Sequence, residues 1–135
     1  MVENTVVKEQ LTDAMIDVGE LLIKQLDENG VPIRVALWLF MPDINEWRLR
    51  LESPDIPLLG PRKIYEQIEK ARHMLGPQSE AVPLSVISLL NERDQLVQLL
   101  GSAMRTGNTT SRIRFTKNVI NGHYISDALI YRNAA

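Results

Sequence analysis

A chain of 135 residues that is 44% hydrophobic and 24% charged has the composition of one ordinary folded domain, long enough to bury a core without staples. It has no cysteine and only two histidines, His73 and His123. Disulfides, thiolate zinc sites, iron–sulfur ligation, a cysteine nucleophile and a histidine-rich metal site are therefore excluded.

The net charge of −2 is unevenly spread. Residues 1–30 carry seven acidic and two basic side chains; residues 101–135 carry five basic and one acidic. The two ends can attract one another or face different partners. Residues 1–30 lack a basic start followed by an apolar core, so no secretory signal is expected. The longest apolar run, Val35 to Met41, falls far short of the roughly 20 residues that span a bilayer. The expectation is a soluble, cytoplasmic protein with no membrane partner. Asn108-Thr109-Thr110 matches a glycosylation acceptor, which means little without a secretory signal.

The periodicity predicts a first helix from Thr5 to Glu28. Val7, Leu11, Met15, Val18, Leu22 and Leu26 recur at three and four, with Glu9, Asp13, Asp17 and Glu20 on the opposite stripe. Gly19 interrupts it at a cost of about 1 kcal/mol relative to Ala, which suggests a close approach of another backbone. Asn29-Gly30 ends it. Pro32 to Met41 reads as a central strand, apolar on both faces. Pro42 to Asn45 is a turn. Glu46 to Glu52 alternates as a half-buried strand, with Arg48 and Arg50 on its polar face. Pro61 suits the first position of a second helix that Gly76-Pro77 stops. Pro83 to Leu90 reads as a third strand, and Glu92 to Arg105 as a third helix capped by Asn91 or Ser88.

The strongest local signal is Asn121-Gly122 between Arg112–Ile120 and His123–Arg132. Asn-Gly marks a tight type I′ hairpin, because both turn residues need positive φ. A two-residue loop sets Ile120 opposite His123, Asn118 opposite Ile125, Thr116 opposite Asp127 and Arg114 opposite Leu129. Phe115 with Ala128 and Ile113 with Ile130 make the more apolar face, expected to meet the core. Arg112, Arg114, Asp127 and Tyr131 share the other. The chain, residues 1–135, is thus expected to form a single α+β domain in the order α-β-β-α-β-α-β-β. Its five-stranded sheet should be mostly antiparallel, with helices mainly on one face.

Phosphate-loop, dinucleotide, zincin and nucleophile-elbow motifs are all absent. The acidic helix stripe reads as a solvated face rather than a magnesium site, so no metal and no cofactor is expected. The leading functional reading is a non-catalytic protein-interaction module that self-associates, dimer favoured. It rests on Trp38 and Phe40, in phase with Arg34, as an apolar patch rimmed by charge. The alternative is a nucleic-acid-binding sheet face. It would combine those aromatics with Arg48, Arg50, Arg112 and Arg114, provided the arginine rows lie on one side. A weaker reading makes His123, the arginines and Tyr131 a metal-independent phosphodiesterase or nuclease. Hairpin register opposes it by setting His123 and Tyr131 at opposite ends. Gly60-Pro61-Arg62-Lys63 offers an anion seat at a helix start, unless Glu66 neutralises Arg62.

Overall fold

The computed structural model describes residues 8–91, 93–98, 105–120 and 123–134. The first helix, α1, spans Asp13–Glu28; the start expected at Thr5 lies outside the described residues, and residues 8–12 are not helical. Thr12 fixes its start: its hydroxyl oxygen accepts the Met15 N–H at 3.2 Å. Residues 8–11 instead form a non-helical strap over the sheet. Glu9 holds that strap: its carboxylate accepts the Trp47 backbone N–H at 3.0 Å, and its carbonyl accepts the Trp47 indole N–H at 2.9 Å. At the far end Gly30 takes a left-handed φ of 76°, and its N–H bonds the Asp27 carbonyl.

Strands β1 (Val35–Met41) and β2 (Glu46–Glu52) form an antiparallel hairpin in which Met41 faces Glu46. A short helix α2 (Ile56–Leu59) and the longer α3 (Pro61–Met74) follow. They carry the chain back so that β3 (Ile87–Leu89) runs parallel to β2. This strand is shorter than the apolar run from Pro83 suggests. Pro83 has no N–H for a ladder, and Leu84–Val86 turn as a 3-10 segment. Strands β4 (Ile113–Ile120) and β5 (His123–Asn133) complete a sheet ordered β3-β2-β1-β5-β4. The fold is a mixed α+β sheet, with one parallel pairing and three antiparallel ones. Of the third helix expected over Glu92–Arg105, residues 95–98 are helical and Arg105 is not; residues 92 and 99–104 lie outside the described residues. Asp94 caps this helix, its carboxylate accepting the Leu96 N–H at 2.9 Å, while Asn91 serves the Arg93 N–H.

The β4–β5 ladder has the register that a two-residue loop dictates: Ile120 with His123, Asn118 with Ile125, Thr116 with Asp127, Arg114 with Leu129 and Ile113 with Ile130. The Asn121-Gly122 turn and the His123 side chain lie outside the described residues. Lys117, at φ 47°, is left-handed, and the ladder skips it.

Both sheet faces are covered. Ala36, Trp38 and Phe40 of β1 pack with Trp47, Leu49 and Leu51 of β2 and Leu129 and Tyr131 of β5 beneath α1 and α3. On the other face, Val35, Leu37, Ala128 and Ile130 pack with Leu90 and Val97. The Phe115/Ala128 face meets the core as expected, and the face that carries Leu129 and Tyr131 meets it too, under α1. The β1–β5 register shifts between Ala36 and Leu37, which face Arg132 and Ile130, so Tyr131 is an extra bulged residue.

Candidate functional site

The aromatic patch proposed from the sequence is interior. Trp38 is 0% and Phe40 7% exposed. Register explains it: Trp38 faces Leu49 and Phe40 faces Trp47, so the neighbouring strand makes this face apolar, not polar. Phe40 and Trp47 have ring centroids 5.4 Å apart, and the Lys8 ammonium of the strap sits 4.5 Å from the Phe40 centroid. Arg34, the third member of the patch, forks onto the buried Glu52 carboxylate through Nε and Nη2.

The arginine rows do not share a side. Arg50 and Arg48 face Leu37 and Leu39 across the β1–β2 ladder, whereas Arg114 faces Leu129, which itself faces Trp38. Residues directly opposite share a face and successive residues alternate, so the two rows lie on opposite faces of the sheet. Most of these cations already hold carboxylates. Arg112 bonds Asp17 and Glu20 on α1; Arg114 forks onto Asp127. Arg48 bonds Glu46 and the Ser85 carbonyl. Arg62, its side chain 92% exposed, reaches Glu66 at 3.5 Å, which leaves no built anion seat at the start of α3 around it and Lys63. The acidic helix stripe is spent in part on Arg112, and the described residues hold no group of three or more metal-binding side chains. No helix among them is long and apolar enough to cross a membrane.

Burial tends to raise the Asp127 carboxyl, but hydrogen bonds from Arg114 and Lys8 outweigh it and hold the group below the ordinary carboxylate range. Glu20 is lowered chiefly by its bond from Arg112. Burial pushes the Tyr131 hydroxyl well above its usual value.

Arg50 differs from the rest. It makes no ion pair among the described residues. Its Nη1 lies 3.9 Å from the Met41 sulfur, and its Nε is buried without a partner. A guanidinium whose donors go unused inside a protein is costly, so its surroundings bear on function. Those surroundings are a cavity of about 340 Å³ on the sheet face opposite α1. It opens where the sheet splits: β1 and β5 last pair at Leu39 and Ala128, although β1 continues to Met41 and β5 begins at His123. Leu39, Met41, Leu96 and Ile125 supply apolar walls. Arg50, Asp94, Gln95, Tyr124 and Ser126 supply polar groups, with Pro42 and Asp43 at the β1–β2 turn. Few polar groups converging on an apolar concavity is the usual composition of a ligand site.

Two other cavities have a similar size but a different electrostatic state. One, beside Trp47, holds Lys8 and Arg114 already bonded to Asp127; the other holds Arg132 already forked onto Asp27. Sequence reasoning placed Arg50 on a polar strand face but missed the cavity. Its far wall comes from residues 94–96 and 124–126, and no local pattern announces that they meet over β2. Comparison with protein-family models, curated proteins and solved structures finds no match to this chain.

Proposed function

We propose that this chain is a binding module that takes a small amphipathic anion in the cavity at the β1–β5 split. The observation that carries the proposal is Arg50: a guanidinium that lines a partly apolar concavity, makes no ion pair among the described residues, has only the Met41 sulfur near its Nη1, and keeps a buried Nε without a hydrogen-bond partner. An incoming carboxylate supplies the paired acceptors that a guanidinium fork fits, in a setting where charge-assisted bonds are strong. The apolar walls take a short hydrocarbon tail. No nucleophile–base pair is part of this reading, which concerns binding rather than turnover.

The test uses 4-methylpentanoate as probe. In two-dimensional NMR, its addition shifts the resonances of Leu39, Leu96 and Ile125 saturably, and Arg50→Met abolishes the response. Shifts of equal size in Arg50→Met overturn the reading.

A second reading, self-association, moves from the buried Trp38 face to the β4–β5 hairpin. Val119 and Tyr124 face one another there and are 60% and 63% exposed, and β4 is an edge strand. A left-handed Lys117 in that edge acts against strand-to-strand pairing, so the contact would be made by side chains.

A further inference from the structure

We infer that the ligand of the Arg50 cavity is a free apolar α-amino acid; this rests on the anion-binding reading above and narrows it. Charge balance within the cavity selects such a ligand. The cavity that holds Arg50 is also lined by Asp94 and Asp43, and neither makes an ion pair among the described residues. Asp43 is exposed to water, whereas Asp94 is half-buried, so a ligand carrying only a negative charge pairs Arg50 and leaves the half-buried Asp94 carboxylate without a cation. A ligand carrying a carboxylate and an ammonium on one carbon satisfies both signs and leaves no buried charge unpaired.

Asp94 is suited to the ammonium. One oxygen accepts the Leu96 N–H, which orients the carboxylate, and the second has no partner among the described residues. Asp94 is half-buried, so a charge pair with it is screened less than one at the surface. Its volume of about 340 Å³ lies at the small end of ligand sites, right for one amino acid and too small for a nucleotide cofactor. Leu39, Leu96 and Ile125 make the side-chain pocket aliphatic. A branched or thioether side chain fits this lining, whereas a charged one would be stranded in it.

The experiment compares three probes of nearly equal shape by calorimetry: L-leucine, 4-methylpentanoate and 3-methylbutan-1-amine. Wild-type protein is expected to bind leucine at least tenfold more tightly than either single-charge analogue. In Asp94→Asn, which keeps the helix cap because Asn caps as well as Asp, the advantage of leucine over 4-methylpentanoate is expected to vanish. Under that substitution 4-methylpentanoate should bind no more weakly than before. Leucine binding equal to or weaker than 4-methylpentanoate in wild type overturns the amino-acid inference and leaves the anion site standing. Failure of all three probes to bind overturns both. A leucine advantage that persists unchanged in Asp94→Asn also overturns the assignment of the ammonium to Asp94.

Discussion

Tyr131 and Arg132 are neighbours in sequence, yet both reach α1. The Tyr131 hydroxyl donates to the Ile16 carbonyl at 2.6 Å, and the Arg132 guanidinium forks onto Asp27 at 2.9 and 2.7 Å. Regular alternation would send them to opposite faces of β5. The bulge at this point turns both toward the helix, so one extra residue ties the first and last turns of α1 to the sheet. The same hydroxyl accepts the Trp38 indole N–H at 2.9 Å, which satisfies the polar ends of both large buried aromatics at once.

This network explains Gly19. A Cβ there would stand 2.6 Å from the Tyr131 hydroxyl and 3.0 Å from Trp38 Nε1. The close approach expected from the sequence exists, but it involves side chains rather than another backbone. Gly19→Ala should destabilise the fold by about 1–3 kcal/mol through overpacking, despite a helix-propensity gain of about 1 kcal/mol. In a Tyr131→Phe background the cost should shrink, because the colliding oxygen is gone. Urea unfolding of the four proteins of this cycle measures the coupling. Additive effects would mean that the two positions do not interact.

The ion pairs differ in burial and should differ in energetic consequence. Arg132 has a side chain 4% exposed against Asp27, whereas Arg112 is 44% exposed against Asp17 at 61%. Asp17→Ala should change stability by less than about 1 kcal/mol. Asp27→Ala leaves a buried guanidinium short of its carboxylate and should cost about 2 kcal/mol. Equal effects in denaturant melts would contradict this ranking.

Much of the framework was legible because local chemistry determined it. Asn121-Gly122 alone dictated the β4–β5 register, and the two-sided apolar run at Val35–Met41 marked the central strand. Long-range pairing was less legible. No local signal indicates that β5 inserts beside β1, that β3 runs parallel to β2, or that a bulge falls at Tyr131. The clean alternation of β2 placed Arg48 and Arg50 together and in phase. Which side of the sheet they share depends on the β1–β2 register, and that register puts Trp38 and Phe40 on the opposite side. The cavity at Arg50 was illegible for the same reason, since it exists only where β1 and β5 stop pairing.

Asp127 should make stability fall in acid. Its folded carboxyl ionises below the ordinary carboxylate range, because bonds from Arg114 and Lys8 outweigh desolvation. The unfolded chain therefore takes up a proton first as pH falls. The contribution is complete above about pH 4, the unfolded value, and is lost as pH drops through the lower folded value. Asp127→Asn should be less stable than wild type at pH 7, and its stability should decline less between about pH 4 and pH 2. Other carboxylates are common to both proteins, so the difference curve isolates this group. Parallel curves would remove Asp127 from the acid response.

The two aromatic surfaces make opposite predictions for assembly. Trp38 is fully buried and bonded to Tyr131, so Trp38→Ala should cost the fold about 3–5 kcal/mol, read from denaturant midpoints, as for a core indole. Any loss of association in that variant would be secondary to unfolding. Val119 and Tyr124 contribute little to the monomer core, because both are mostly exposed on the hairpin. Val119→Ser with Tyr124→Ser should leave the melting behaviour of a dilute sample within about 0.5 kcal/mol of wild type, as surface substitutions do. If copies of this chain meet through the hairpin, the same pair of changes should weaken association in sedimentation at least tenfold. A wild-type protein that sediments as a 15.3 kDa monomer at every concentration up to the millimolar range would exclude self-association through the hairpin.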